Sequence, residues 1–378
     1  MNIPKLRFKD NNGNDYPQWE KKLIKDILKI YHGKDYKNEP NEKKLYPVLG
    51  TGGIITYIDK FLCDWECVLI GRKGTINKPQ YMKTPFWSVD TLFYSKPKLK
   101  QNPKFQYYLF QNINWKIYDE STGVPSLSAS TIEHINRFIP TYAEQEKIAS
   151  FFSTIDKKIE NLTNTITSLE NQKKGLLQQI FSQKLRFKDK NGNNYPNWEK
   201  KKLGDITTSY SGGTPSVNVK DYYNGAIPFI KSGEIHNSFT ETFITETGLN
   251  SSSAKLVKKG DLLFALYGAT SGDTSISKIN GAINQAILCV RSTTLNLHYL
   301  YQLLNFYRNK LLSIYLQGGQ GNFSATIFKN LIFNFPCLEE QTKIADFLSA
   351  FDRKLENQKA QLEHWQQIKK GLLQQMFV

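Results

Sequence analysis

Seven short strings rich in glycine, hydroxyl and basic residues carry the side chains best suited to grip a ligand. Three lie in the first half of the chain: Gly50-Thr-Gly-Gly53, Gly71-Arg-Lys-Gly-Thr75 and Ser121–Ser128 (STGVPSLS). Four lie in the second: Ser211-Gly-Gly-Thr-Pro215, Lys231-Ser-Gly-Glu234, Tyr267-Gly-Ala-Thr-Ser-Gly272 and Gly318–Ser324 (GGQGNFS). Their chemistry is that of DNA contact. Glycine lets a backbone approach a phosphate or base edge closely. Lys, Ser and Thr hold phosphates. Arg pairs with guanine through two hydrogen bonds, and Asn or Gln does the same with adenine. The candidate contacts are therefore Thr51, Gly52, Arg72, Lys73, Thr75, Ser121, Thr122 and Ser126 in the first half, and Thr214, Lys231, Ser232, Tyr267, Thr270, Gln285, Gln320 and Asn322 in the second. Any one string reads equally well as an ordinary turn; the case rests on several of them in a basic chain. The net charge of +16 and pI near 9.4 imply a polyanionic partner, nucleic acid first.

Signatures of catalysis are missing. No GxxxxGK[ST] loop is present to hold a nucleotide triphosphate, and no GxGxxG follows a strand to hold a dinucleotide or S-adenosylmethionine. Asn102-Pro-Lys-Phe105 is the nearest string to the Asn/Asp-Pro-Pro-Tyr/Phe loop of an amino-methyltransferase, and it lacks the second proline. The five histidines (His32, His134, His236, His298, His364) show no HxxxH or HExxH spacing. Glu339, Glu340 and Lys343 fit a nuclease pattern loosely, but they open a helix, where acids belong for reasons of the helix dipole. Cys63, Cys67, Cys289 and Cys337 form no disulfide framework and no zinc spacing, so they read as reduced thiols of a cytoplasmic protein. The start, MNIPKLRFKD, has no apolar signal core, and no stretch approaches the roughly 20 apolar residues of a membrane span.

The elements that must position the loops come from a duplicated frame. Lys5–Lys22 (KLRFKDNNGNDYPQWEKK) and Lys184–Lys201 (KLRFKDKNGNNYPNWEKK) agree at 15 of 18 positions, at an offset of 179. Pro140–Asn161 matches Pro336–Asn357 at an offset of 196, and Gln172–Phe181 resumes against Ile368–Phe377. The intervening regions diverge. The first has apolar runs such as Cys67–Ile70 and Val89–Tyr94 between turn formers, with a helix near Phe105–Asn112. In the second, Ala226–Ile230, Asp261–Leu266 and Ala282–Val290 read as strands and His298–Leu316 as a helix.

Two long helices close the frame, Ala143–Phe181 and Glu339–Phe377. The first carries Ile148, Phe152, Ile155, Ile159, Leu162, Ile166, Leu169, Leu176 and Ile180 at alternating spacings of four and three, with Lys173 in the one gap. The second carries Ile344, Leu348, Phe351, Leu355, Leu362, Trp365, Leu372 and Met376, with Gln358 and Lys369 as polar exceptions. Lys369 is the repeat equivalent of Lys173, and matched polar seam residues fix register. Helices this apolar along one stripe need each other. The expected architecture is α+β: two globular domains joined by two antiparallel coiled-coil helices in a pseudo-twofold, cyclic arrangement. The expected divisions are residues 1–142, 143–183, 184–338 and 339–378. A straight helix of about 38 residues spans on the order of 55 Å, about one and a half turns of B-DNA.

So arranged, the chain resembles the specificity subunit of type I restriction-modification systems along essentially its whole length. The residues that carry the resemblance are YPQWEKKL (Tyr16–Leu23), YPNWEKKKLGDI (Tyr195–Ile206), GGTPS (Gly212–Ser216), the paired helix starts Pro140…Glu144-Gln145…Ile148-Ala149 and Pro336…Glu340-Gln341…Ile344-Ala345, and the KKGLLQQ(I/M)F endings. The resemblance implies two target-recognition domains on double-stranded DNA, each reading half of a split site, with the helices setting the gap between halves. It implies a non-catalytic chain that docks two methyltransferase subunits and, with them, restriction/motor subunits. It places S-adenosylmethionine, ATP and Mg in those partners and no cofactor here. Two other readings stay open: a self-contained methyltransferase or nuclease, and a coiled-coil scaffold whose globular ends bind protein.

Overall fold

The computed structural model describes residues 4–315 and 322–377. Two compact units divide the chain, Met1–Thr165 with Lys359–Val378, and Ile166–Gln358. The long helices, Tyr142–Phe181 and Leu338–Met376, each start one residue earlier than the sequence predicts and each contribute to both units.

In the first unit, Glu20–Leu23 pairs antiparallel with Asn136–Ile139. An antiparallel sheet runs in the order Leu28–Tyr31, Leu92–Pro97, Cys67–Gly71, Gln80–Met82. A smaller sheet joins Gly53–Ile58, Tyr46–Gly50 and Trp87–Ser88, the last pair parallel. The strand Cys67–Gly71 is buried along its full length because it is covered on both faces. Side chains alternate across a strand, so Val68 and Ile70 face one core, shared with Phe105, Phe152 and Phe377, while Cys67 and Leu69 face another, with Val48, Phe86 and Trp87.

The second unit repeats this topology and adds one strand, Lys255–Val257, to the smaller sheet. Glu199–Lys202 pairs with Ile332–Phe335. One sheet runs Thr208–Ser211, Ile287–Arg291, Leu262–Ala265, Thr274–Ile276; the other runs Phe243–Ile244, Tyr223–Ile230, Gly281–Ile283, Lys255–Val257. Leu262 and Phe264 face the core that holds Ile180 and Ile344, and Leu263 and Ala265 face the opposite one.

Two apolar runs fall differently from the sequence expectation. Ala282–Val290 is not one strand: it breaks at Asn284–Ala286, where Asn284 Oδ1 accepts the Ala286 N–H at 3.1 Å and the Asn284 carbonyl accepts Ile287 N–H at 3.3 Å. Val89–Tyr94 opens in a matching turn, closed by Leu92 N–H on the Val89 carbonyl at 3.0 Å.

Within each unit the long-helix segments run antiparallel and meet at charged pairs. In the first, Lys369 Nζ lies 2.7 Å from Asp156, and Phe377 meets Phe152. In the second, Lys173 Nζ lies 2.5 Å from Asp352. The two aspartates are themselves repeat equivalents, and each also ties down the helix of its own unit: Tyr108 hydroxyl donates to Asp156 and Gln302 Nε2 to Asp352, both at 2.6 Å.

The duplicated frame segments are latched to the helix starts. Arg7 donates from Nε and Nη2 to the two oxygens of Glu144 at 3.0 and 2.7 Å, and Trp19 Nε1 adds a bond at 3.1 Å. Arg186, Glu340 and Trp198 repeat the arrangement at 2.7, 2.8 and 3.1 Å. The next residue anchors each unit. Gln145 Oε1 accepts the Asn102 N–H at 2.9 Å while its Nε2 donates to the Pro140 carbonyl; Gln341 does the same with Asn296, at 3.0 Å, and Pro336. Leu6 N–H donates to the Gln375 carbonyl at 3.1 Å, and Leu185 N–H to the Gln179 carbonyl at 3.0 Å.

Candidate nucleic-acid interface

In the first unit three of the glycine-rich strings converge. Gly50–Gly53 is the hairpin between the Tyr46–Gly50 and Gly53–Ile58 strands, where Gly53 adopts a positive φ of 113°. Gln80 Nε2 ties the Gly50 carbonyl at 2.8 Å. The Thr51 hydroxyl faces Gly74. Lys73 bridges Ser126, Gly74 N–H donates to the Pro125 carbonyl at 2.8 Å, and Leu127 N–H donates to the Arg72 carbonyl at 2.9 Å. Lys73, Gly52 and Thr122 are exposed, and Arg72, Thr75 and Ser126 half-exposed. Asp119 holds the string together: it accepts from the Ser121 hydroxyl and from the Ser121 and Ser126 N–H groups, which lowers its pKa. Ser121 is thus partly consumed in shaping the loop.

In the second unit, Thr214 hydroxyl donates to Gln285 Oε1 at 2.5 Å. Burial pushes the neighbouring Tyr267 phenol up, and a hydrogen bond with Gln285 opposes that shift. Lys231 follows Ile230, which pairs in parallel with Ile283 just before Gln285, so Lys231 and Ser232 border the same surface. Asn322 precedes Phe323, whose N–H donates to the Leu266 carbonyl at 2.6 Å, and is exposed. The Thr270 carbonyl accepts Asp273 N–H at 2.9 Å and shapes the Tyr267–Gly272 loop. Gln320 lies outside the described residues.

The two units share a backbone frame that their sequences hide. Arg72 N–H meets the Thr91 carbonyl as Leu266 N–H meets that of Ala286, both at 2.8 Å. Lys34 N–H meets the Ser88 carbonyl at 2.8 Å, as Gly213 N–H meets that of Ile283 at 3.3 Å. Gly74 and Gly268 share φ of 85°. Gly33 and Gly212 occupy one role: a Cβ on either would lie 2.0 or 1.8 Å from a carbonyl oxygen, of Val89 or Ile283, so only glycine fits. Thus Lys34, Asp90, His236 and Arg308 border the loops although sequence reasoning passed over them. His236 lies 3.4 Å and Arg308 3.7 Å from Asp273. For Asp90 the available signal was the polar pair Asp90-Thr91 within the Val89–Tyr94 run, like Asn284-Gln285 within Ala282–Val290.

Other candidate chemistry has structural employment. Asn102 caps the helix Pro103–Gln111 by accepting Phe105 N–H at 2.9 Å. Glu340 is fully buried in its latch, and Lys343 Nζ donates to the Lys188 carbonyl at 2.7 Å. Among the described residues no group of three or more His, Cys, Asp or Glu is placed to hold a metal, and no helix is long and apolar enough to cross a membrane.

The family model for the type I restriction modification DNA specificity domain matches residues 16–171 and 195–364. The chain is 23% identical over 416 aligned positions to the type I restriction enzyme MjaVIII specificity subunit of Methanocaldococcus jannaschii, covering 97% of this chain and 94% of that one. It is 30% identical to the MjaIX specificity subunit of the same organism over 52% of this chain and 48% of the relative. Its fold is similar to the crystal structure of a type I restriction-modification S subunit from M. genitalium, with a TM-score of 0.72, 16% identity and coverage of 100% and 99%.

Proposed function

The chain belongs to the type I restriction-modification DNA specificity family, and from that premise we propose that each compact unit reads one half of a split double-stranded DNA site. The observation that carries this reading is the equivalence of the two loop frames: the same backbone hydrogen bonds present different side chains, Asp90 against Gln285. One scaffold with unlike readers is what an asymmetric site requires. Exposed lysines around the loops supply phosphate attraction without base preference.

The long helices serve as the ruler between half-sites, and the frame is cyclic and pseudo-twofold. The Leu6–Gln375 bond, which joins distant parts of the sequence, and the local Leu185–Gln179 bond support that arrangement. Outer helix faces and the latched helix starts dock two methyltransferase subunits that carry S-adenosylmethionine and methylate adenine. Restriction/motor subunits, which use ATP and Mg, complete the assembly. The chain itself makes and breaks no covalent bond, carries no cofactor, and works in the cytoplasm beside the chromosome.

The test is genome-wide adenine methylation in cells expressing this chain with its methyltransferase partner, compared with cells lacking it. A split motif dependent on the chain is expected. An assembled complex that yields no motif would refute the reading and favour a protein-binding scaffold. Tight S-adenosylmethionine binding by the isolated chain would favour a self-contained methyltransferase. Deleting one helical turn within 154–169 is expected to change the gap in the motif and leave both half-sites intact.

A further inference from the structure

The two equivalent turns, Val89–Thr91 and Asn284–Ala286, each raise one exposed side chain from otherwise buried surroundings. At the tip of the first stands Asp90; at the tip of the second, Gln285. Their equivalence is fixed from both sides. Before the turn, Ser88 pairs with Leu49 as Ile283 pairs with Ile230. After it, Leu92 pairs with Gly71 as Ile287 pairs with Ala265. Both turns close by the same bond, Leu92 N–H to the Val89 carbonyl and Ile287 N–H to that of Asn284. Gly33 and Gly212 press against them from below with no room for a Cβ, which holds the turns at one height. The Gly71–Thr75 and Leu266–Thr270 segments flank them.

We propose that this turn is a base-reading element in both units, with Asp90 selecting cytosine in one half-site and Gln285 selecting adenine in the other. The inference rests on the DNA-reading function above and adds the residues that choose the base.

The hydrogen-bonding chemistry differs between the two positions. A carboxylate only accepts. Cytosine offers the major groove an amino donor, whereas beside the adenine amino group lies N7, an acceptor that repels a carboxylate. Arg72 Nη1 donates to the Asp90 backbone carbonyl at 3.3 Å, so a cation stands beside the turn, and Asp90 itself is exposed. The Thr214 hydroxyl donates to the Gln285 side-chain oxygen at 2.5 Å and orients the carboxamide. A carboxamide has two lone pairs and two N–H groups. With one lone pair engaged by Thr214, a second lone pair and the N–H groups remain, and they include the acceptor and donor that adenine N6 and N7 require.

The test uses the assembled complex and its methylation motif. Asp90→Asn turns an acceptor into an acceptor–donor and is expected to move one position of one half-site from cytosine toward adenine. Gln285→Glu is expected to do the reverse in the other half-site. A change in preference of about 10- to 100-fold at the one position corresponds to one good base contact. The untouched half-site reports that each variant folds and assembles. If either substitution abolishes methylation, the purified complex is titrated with duplexes carrying each of the four bases at that position. Retained binding on the swapped base upholds the assignment; equal loss on all four overturns it. A wild-type motif that survives both substitutions unchanged also overturns it. Absence of any motif with wild type refutes instead the function on which it rests.

Discussion

Removing Arg7 is expected to destabilise the first unit by about 3–5 kcal/mol, the cost of leaving a buried charge without its partner. Glu144 is fully buried and receives three bonds, two from Arg7 and one from Trp19. In Arg7→Ala the carboxylate keeps only the indole. Two charge-assisted bonds of roughly 1.5–3 kcal/mol each sum to about 3–6 kcal/mol, which overlaps that range. For a unit of this size each kcal/mol moves the midpoint by roughly 2–4 °C, so the first-unit transition is expected about 6–20 °C lower. Arg186→Ala supplies the control, because Arg186 is 23% exposed against 18% for Arg7 and both glutamates are 0% exposed. It is expected to lower the second unit's transition by a similar amount. Hydrogen exchange, read unit by unit, would locate each loss. Glu144→Gln combined with Arg7→Ala is expected to recover at least ~1 kcal/mol, since the unpaired charge is gone. If Arg7→Ala costs less than about 1 kcal/mol, the latch is worth no more than a surface ion pair and the reasoning fails.

Three further outcomes are expected. Gly33→Ala and Gly212→Ala each force a Cβ to within 2.0 and 1.8 Å of a carbonyl oxygen, and each is expected to erase sequence preference in one half-site only, read by methylation motif. Lys73→Ala is expected to weaken DNA binding evenly across sequences and to reduce the salt slope by about 1, read by binding titrations in increasing salt. Burial would raise the Asp261 pKa, but hydrogen bonds from Arg291 and the Lys258 N–H outweigh it and hold the group below its usual value. That stabilisation is present above the unfolded pKa of about 4 and lost as pH falls through the lower folded value; thermal melts of wild type and Asp261→Asn should therefore converge below about pH 4.

Much of the frame was legible because repetition exposes it. The matched lysines marked the seam, and Asp156 and Asp352 proved to be their partners. The Glu-Gln dipeptides marked the helix starts, but their roles rest on atoms 137 and 154 residues away in sequence, which periodicity does not reveal. Gln285 was a candidate from the sequence, but the equivalence of its turn to the one at Asp90 was hidden for a different reason. Ser88-Val-Asp-Thr91 and Ile283-Asn-Gln-Ala286 share no residue at equivalent positions, and their likeness lies in backbone hydrogen bonds alone. Asp90, with Thr91 beside it at the start of an apolar run, gave no periodic signal.

The discontinuity of the first unit sets an order for biosynthesis. The second unit is one stretch, residues 166–358, but the first is closed by residues 359–378. Phe377 packs against Trp19, Phe105 and Phe152, and Gln375 supplies the acceptor for Leu6. Translation makes most of the first unit earliest and completes it latest. At ~5–20 residues per second, its aromatic core stands open on the ribosome for roughly 10–40 s, while the second unit can close meanwhile. The nascent first unit is therefore the part of this chain that chaperones would meet.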